Sequence, residues 1–231
     1  MTYRHYSFDV WLTLIRSNPE FRRERIAYFA HHFNPLGHVL SQVEAIVRDV
    51  DQTCTRINEL VGKHIDAREV VLLMAQRLGT DLNQLSPVRL VSVLEEINEL
   101  FTKYPPVLTD GELPQVLSTL RVRGATLSLL SNTGLIQGAC LRRFWDQVGI
   151  GKLFAFQLYS DEVGLSKPNP ALYALLYRQA RQLSNRAEPL LPNHILHIGD
   201  NPVADEAGAK AAQLSTLLIQ PDKPGFSNLL L

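Results

Sequence analysis

The sequence predicts an α/β protein with a parallel sheet that is interrupted by an all-helical insert. Residues 105–231 alternate between short apolar runs and amphipathic stretches, the pattern of strand-helix crossover units. Residues 19–103 show helical patterns only, and this block directly follows the first predicted strand. We therefore expect a sheet domain formed by residues 1–16 and 105–231, and a helical domain formed by residues 17–104.

Four helices are predicted in the insert. Asn18 suits an N-cap and Pro19 the first helical position, so the first helix begins there. The second helix has the strongest periodic pattern in the chain, and paired prolines at 105–106 end the block. The predicted helices cover about 19–33, 39–60, 67–78 and 86–103.

The sheet domain is predicted to contain five strands. They cover about 6–10, 126–130, 155–159, 194–198 and 216–219, with helices between them at about 113–123, 137–148, 170–183 and 202–213. Residues 220–231 carry no prediction. Asp9, Ser131 and Asp200 each lie at the end of a predicted strand. Ligands bind beyond the carboxyl ends of parallel strands, so we expect these three side chains to converge.

Composition excludes several classes of partner. The chain has 23 Lys plus Arg and 23 Asp plus Glu, so no net field favours nucleic acid or a membrane surface. Cys54 and Cys140 have no spacing typical of a zinc site or a disulfide framework. Neither a signal segment nor a long apolar run is evident. We expect a cytoplasmic protein whose partner is a small molecule.

Three aspartates suit phosphoryl transfer. A carboxylate can attack phosphorus if a cation neutralises both anions and donors hold the phosphoryl oxygens. Asp9 is the candidate nucleophile and metal ligand, and Asp200 and Asp205 complete an oxygen-rich site of the kind that Mg²⁺ prefers. The backbone carbonyl of Trp11 is a further candidate ligand.

Two later segments supply candidate donors to the phosphoryl group. The hydroxyl of Ser131 and the amides after it are placed to bind phosphoryl oxygens. Lys167 is placed to pair with Asp9 and with the phosphate.

These segments, in this order, resemble the four motifs of the haloacid dehalogenase superfamily. The motifs are Asp9–Thr13, Ser131–Thr133, Lys167–Pro168 and Gly199–Asp205. The resemblance implies a Rossmann-like core, a C1-type helical cap that closes over the site, and a Mg²⁺-dependent hydrolase. It further implies that Thr13 supports the site and that Asn132 contacts the substrate.

The chain departs from the phosphatases of that superfamily at one position. They carry an aspartate as general acid and base two residues after the nucleophile, where this chain has Trp11. An indole has no titratable proton near neutral pH, so it cannot protonate a leaving alkoxide. We interpret Trp11 either as a packing residue or as a wall that faces the substrate.

This departure leaves several functions open. The leading hypothesis is a phosphatase for a small phosphorylated metabolite. L-2-haloacid dehalogenases also carry an aromatic residue at this position, and they attack carbon. Phosphonatases need a cap lysine, for which Lys63 and Lys103 are the candidates. A catalytically weak relative that binds a phosphorylated ligand is the remaining alternative.

Charged residues of the insert have more ordinary interpretations. His31, His32 and His64 are alternative proton donors, although surface or packing roles are commoner for histidine. The arginines at 22, 23 and 25 are interpreted as a solvated helix face, with contact to an anionic substrate as the alternative.

Overall fold

The computed structural model describes residues 3–184, 188–223 and 225–230, and it contains a five-stranded parallel sheet. The strand order is β5-β4-β1-β6-β7. The five strands are β1 (His5–Phe8), β4 (Thr126–Ser131), β5 (Phe156–Tyr159), β6 (Ile195–Gly199) and β7 (Ser215–Leu218). This confirms the predicted α/β class and all five predicted strands, with shifts of one or two residues at their ends.

The helices follow the predicted order. They are α1 (Pro19–Phe33), α2 (Leu40–Val61), α3 (Ala67–Arg77), α4 (Pro87–Lys103), α5 (Leu113–Val122), α6 (Gly138–Gln147), α7 (Ser160–Val163), α8 (Pro170–Gln182) and α9 (Gly208–Ala211). The prediction of one helix over residues 202–213 is wrong, because a π-helix over Pro202–Ala207 precedes α9. The short helix α7 was not predicted. π-helical turns are rare and frequently occur at functional sites.

Strand β1 is the centre of the sheet. All four of its residues are buried, and it pairs in parallel with β4 on one side and β6 on the other. Phe8, its last residue, lies opposite Leu129 and Ile198. Asp9 follows at once and donates its backbone N–H to the Ile198 carbonyl at 2.8 Å. The nucleophile candidate therefore lies at the carboxyl edge of the central strand.

Helices α1 to α4 form the insert and pack on one another. Helix α2 shows how its sequence dictates this packing, because Val43, Val47, Val50 and Cys54 recur at helical spacing and are all buried. Gly62 ends α2 in the left-handed conformation, with φ of 68°. The division of the chain into a sheet domain and a cap domain stays a prediction.

A second, two-stranded sheet was not predicted. Strand β2 (Ile15–Arg16) precedes α1, and β3 (Val107–Leu108) follows α4. The two strands are antiparallel, so the chain enters and leaves the insert through one hydrogen-bonded pair. Strands of two residues are too short to produce a periodic pattern, which is why the sequence did not indicate them.

Within the part of the chain that the structure describes, no helix combines the length and the apolar character needed to cross a membrane.

Candidate active site

Three buried side chains form a charged cluster at the carboxyl edge of the sheet. Lys167 lies between two carboxylates, and its Nζ donates to Asp9 Oδ1 and to Asp205 Oδ1, each at 2.6 Å. Asp9 is 6% exposed, and Lys167 and Asp205 are 2% exposed. Buried charges are tolerated only when they are paired and hydrogen-bonded, and this arrangement satisfies both conditions.

Asp205 is held by two further donors. His197 Nε2 lies 3.1 Å from Asp205 Oδ1, and the Asn201 backbone N–H donates to Asp205 Oδ2 at 3.0 Å. The carboxylate also lies against the backbone of Gly199, where a Cβ atom would fall 2.2 Å from Asp205 Cγ. Glycine is therefore required at residue 199 for this carboxylate to approach the strand so closely.

Asp200 completes an acidic cluster that fits a divalent cation. Asp9, Asp200 and Asp205 each offer a carboxylate oxygen, and these oxygens lie within 4.8 Å of one another. Opposite ligands in an octahedral Mg²⁺ shell are about 4.2 Å apart, so small shifts would suffice to bind the ion. Within the described residues, the Trp11 carbonyl accepts no hydrogen bond, which leaves it free as a further ligand. The donor set therefore suits Mg²⁺, and the individual ligands stay predictions.

The electrostatics of the cluster favour a bound cation. Burial raises the pKa of Asp9 to about 6, although Lys167 opposes the shift. Burial also raises the pKa of Asp200, and the charge of Asp205 adds to it. Burial acts on Asp205 in the same direction, but Lys167 and His197 outweigh it and hold its pKa below the usual range. Two of the three carboxylates thus ionise less readily than a free aspartate, and a bound cation would favour their ionised forms.

Asn132 positions the lysine. Its side chain clamps the backbone of Lys167, because Asn132 Nδ2 donates to the Lys167 carbonyl at 3.0 Å and Asn132 Oδ1 accepts from the Lys167 N–H at 2.7 Å. Asn132 also lines the cavity described below. The predicted contact between Asn132 and substrate stays a prediction, whereas its contact with Lys167 is present in the structure.

Ser131 and Thr13 lie beside the cluster but do not line the cavity. Ser131 is 1% exposed, and its hydroxyl donates to the Asn132 carbonyl at 3.2 Å. The Thr13 hydroxyl is fully buried and makes no hydrogen bond within the described residues. The N–H of Thr133 donates to Ser160 Oγ at 2.8 Å, so this amide is not free for a phosphoryl oxygen. The predicted roles of Ser131 and Thr13 remain predictions.

A cavity of about 430 Å³ lies between the sheet edge and the insert. Its sheet-side wall includes Asp9, Lys167, Asp200 and Asp205. This volume is in the range of small-molecule sites and exceeds what a phosphate ion alone requires. The candidate site is therefore shaped for a larger molecule than phosphate.

Trp11 forms part of the cavity wall and also packs on the insert. Its half-buried ring makes an edge contact with Phe101 of α4, with ring centroids 6.4 Å apart. The ring therefore packs on the insert and lines the cavity, and its predicted contact with substrate stays a prediction. Leu12 follows with φ of 60°, a conformation that non-glycine residues rarely adopt, and it also lines the cavity.

The insert contributes a wall of polar and apolar side chains to the cavity. Its lining residues are Ser17, Phe21, Arg22, Arg25, Asp51, Cys54, Thr55, Asn58, Glu59, Ile65 and Val70. His31, His32 and His64 are not among the described residues that line the cavity, and neither are Lys63 and Lys103. The titratable groups that the insert brings to the cavity are thus mainly arginines and acids.

The end of α2 lies directly on the motif loops. Glu59 Oε1 accepts from Asn201 Nδ2 at 2.7 Å, and the Gly62 carbonyl accepts from Asn169 Nδ2 at 2.9 Å. Nearby, His64 Nδ1 lies 3.1 Å from Ser160 Oγ. The insert is thereby connected to the loops that carry Asp200 and Lys167.

The fold and this cluster define a class of protein, a parallel α/β protein with buried carboxylates and a lysine at the carboxyl edge of its sheet. The family comparison is specific: residues 3–213 match the model for haloacid dehalogenase-like hydrolases. The chain belongs to this family and is a hydrolase. No curated protein matches the sequence.

Solved structures share the fold at low sequence identity. YfnB from Bacillus subtilis, described as a HAD-hydrolase bound to magnesium, has a TM-score of 0.69 at 18% identity, covering 96% of this chain and 91% of that one. A predicted phosphoglycolate phosphatase from Haemophilus somnus has a TM-score of 0.64 at 16% identity, with coverage of 95% and 86%. A 2-haloacid dehalogenase from Pseudomonas syringae has a TM-score of 0.62 at 18% identity, with coverage of 99% and 98%.

Several contacts at the site were not predicted from the sequence. His197 lies in an apolar strand, and a polar residue inside such a run was the signal that it needed a buried partner. Gly199 directly precedes Asp200, where a glycine indicates close backbone approach. The contact between Glu59 and Asn201 had no sequence signal, because it joins side chains 142 positions apart.

Proposed function

We propose that the chain is a Mg²⁺-dependent phosphatase that acts on a small phosphorylated metabolite through a phosphorylated Asp9. The observation that carries this proposal is the acidic cluster of Asp9, Asp200 and Asp205 around Lys167. Its three carboxylates and one ammonium group leave a formal charge of −2 when all are ionised, which matches one divalent cation. The insert would then act as the cap of the site.

The reaction proceeds in two displacements. A carboxylate oxygen of Asp9 attacks phosphorus, and the bond between phosphorus and the leaving oxygen breaks. Water then attacks the phosphorus of the acyl phosphate, which releases phosphate and restores the Asp9 carboxylate. Lys167 holds Asp9 by a hydrogen bond and offers positive charge to the phosphoryl oxygens. The three aspartates and the Trp11 carbonyl would hold Mg²⁺, which would supply positive charge to those oxygens.

Trp11 determines which leaving group is favoured. General acid catalysis contributes about 10² to 10⁴ in rate, and an indole cannot supply it. An acyl or aryl leaving group departs without a proton, whereas an alkoxide needs one. We therefore propose acyl or aryl phosphates as the favoured class, and the cavity volume of about 430 Å³ suits a small metabolite.

Carbon-halogen hydrolysis is the second candidate. It is favoured by the aromatic residue in the wall beside Asp9, and a 2-haloacid dehalogenase is among the structures with the same fold. Displacement of a halide from carbon requires no metal, however, and this chain retains Asp200 and Asp205 beside the nucleophile. A phosphonatase is less favoured, because neither Lys63 nor Lys103 is among the described residues that line the cavity.

One assay set separates these candidates. The purified protein is incubated with an aryl phosphate, with acetyl phosphate and with a 2-haloacid, each in Mg²⁺ or in chelator. We expect phosphate release that requires Mg²⁺. The matched variants are Asp9→Asn, which removes the nucleophile for every candidate reaction, and Asp200→Asn, which removes a metal ligand only.

The outcomes distinguish a phosphatase from a dehalogenase and from a binding relative. Halide release that persists in chelator and in Asp200→Asn would overturn the phosphatase proposal in favour of a dehalogenase. If no substrate turns over and phosphorylated ligands still raise the melting temperature, the chain is a binding relative.

A further inference from the structure

The insert wall of the cavity contains two arginines whose hydrogen-bonding capacity is largely unused. Arg25, on α1, is 18% exposed and donates from Nη2 to Asp51 Oδ2 at 3.0 Å. Its Nε N–H is buried and has no acceptor among the described residues. Buried donors without partners are rare in folded proteins, so the head of Arg25 is under-bonded where this residue lines the cavity.

The arginine head is held in place rather than free. Its guanidinium carbon lies 5.7 Å from the centroid of the Phe21 ring, and the ion pair with Asp51 fixes it from the other direction. A guanidinium holds its donors in one plane, which suits a carboxylate. With Nη2 bonded to Asp51, Nη1 has no acceptor within the described residues and is the nitrogen that can serve a ligand in the cavity.

Arg22 adds a second cation one turn away on the same helix. It is exposed, it lines the same cavity, and it makes no ion pair or side-chain hydrogen bond within the described part of the chain. Arg23, between them, does not line the cavity and pairs instead with Glu20 and Glu24. The cavity side of α1 therefore carries free positive charge that its outer side does not.

We propose that Arg22 and Arg25 form a subsite for a carboxylate on the substrate, remote from the phosphoryl group that Asp9 attacks. Arg22, Arg25 and Asp51 sum to a formal charge of +1, which suits one carboxylate better than a second phosphoryl dianion. Glu59, the other acid of this wall, hydrogen-bonds to Asn201 at the sheet edge. The inference rests on the proposed function and adds a substrate class to it, namely a phosphorylated carboxylic acid.

Binding of unreactive analogues tests the subsite without requiring turnover. The matched pair is 3-phosphonopropionate and n-propylphosphonate, which differ only in a carboxylate in place of a methyl group. Dissociation constants are measured by calorimetry with Mg²⁺ present. We expect the carboxylate to improve affinity by about tenfold, as one charge-assisted hydrogen bond does.

Three variants test whether Arg22 and Arg25 cause the preference for the carboxylate analogue. Arg25→Lys keeps a positive charge beside Asp51 but lacks the guanidinium fork, and Arg22→Gln alters an exposed side chain that the fold does not need. Each should reduce the tenfold preference to about threefold or less. Arg23→Gln is the control on the same helix and should keep the preference unchanged.

Each other result has a definite meaning. If the two phosphonates bind equally to the unaltered protein, or if the preference survives in both Arg25→Lys and Arg22→Gln, the subsite is overturned while the proposed function stands. Tighter binding of propane-1,3-diphosphonate than of 3-phosphonopropionate would overturn the assignment to a carboxylate. If neither phosphonate binds, the proposed function fails and the inference fails with it.

Discussion

Replacing Trp11 with aspartate would place a titratable proton donor two residues after Asp9, where this chain has an indole. Trp11 and Asp9 line the same cavity, two positions apart in the chain. A carboxyl at residue 11 would therefore face the same space as the nucleophile. If the indole is what limits the hydrolysis of alkyl phosphates, Trp11→Asp should accelerate it by supplying a proton to the leaving alkoxide.

The expected size of the effect depends on the leaving group. General acid catalysis contributes about 10² to 10⁴, equivalent to about 2.7 to 5.5 kcal/mol of activation free energy. An aryl phosphate, whose leaving group needs no proton, should gain much less. The ratio of kcat/KM for an alkyl phosphate to that for an aryl phosphate should thus rise by at least about 100-fold.

The substitution also has a structural cost. It removes the edge contact with Phe101 and part of the buried apolar surface of a half-buried ring, together about 2 to 3 kcal/mol. Domains are typically stable by about 5 to 15 kcal/mol, so we expect Trp11→Asp to remain folded at 25 °C with a lower melting temperature.

The assay compares both phosphates in the unaltered protein, in Trp11→Asp and in Trp11→Asn. The asparagine variant has nearly the same shape and opens the cavity equally, but it cannot donate a titratable proton. A rise in the alkyl-to-aryl ratio that is confined to Trp11→Asp supports the reasoning. Equal ratios in the two folded variants would refute it, because the loss of the indole alone would then explain any change.

Three further predictions concern the cluster and the sheet beneath it. Gly199→Ala should lower the free energy of unfolding by about 1 to 3 kcal/mol and weaken Mg²⁺ binding, because the added methyl collides with the carboxylate of Asp205. Gly111→Ala, where a methyl meets no atom within 4 Å, is its control in the same calorimetric and denaturation assays. Because the pKa of Asp9 is raised to about 6, protons should compete with Mg²⁺ and weaken its binding about tenfold between pH 7.5 and pH 5. Equal affinity at both pH values, measured by titration calorimetry, would contradict this. Burial, with a smaller effect of the nearby His197, lowers the pKa of His5 to about 3 from 6.5, so its contribution to stability is full above pH 6.5 and is lost as the pH falls. The free energy of unfolding, measured in urea, should fall between pH 7 and pH 4.5 in both proteins. The fall should be about 2.5 kcal/mol smaller in His5→Asn than in the unaltered protein.

The sheet and the residues at its edge were predictable because each depends on local sequence. Strand β1 is short and fully buried, and the residue after a parallel strand must lie at the carboxyl edge whatever the rest of the chain does. Asp9 and Asp200 were therefore placed beside each other without knowledge of any contact. Lys167 follows no strand, so no such local rule places it, and its pairing with Asp9 was inferred from the charge that phosphoryl transfer requires.

The hydrogen-bond partners of these residues were less predictable, because they depend on distant pairs. His197 and Asp205 are eight residues apart, but their contact requires the π-helix over Pro202–Ala207, and a helix-period pattern does not distinguish π from α. The pairing of Arg25 with Asp51 depends on how α1 packs against α2. The arginines of α1 consequently had the pattern of a solvated face, although only part of that face is solvated.

The side chains on the two sides of the cavity are positioned by different parts of the fold. The sheet-side half consists of groups that reach one another through short motif loops, so its arrangement follows once the sheet forms. The insert-side half consists of side chains from α1 and α2, whose positions depend on helix packing. Trp11 lies two residues after Asp9, in a loop of the sheet-side half. Its ring, however, packs on Phe101 of the insert. An indole in that position cannot serve as a proton donor, but its contact with Phe101 joins the wall of the cavity to the packing of the insert.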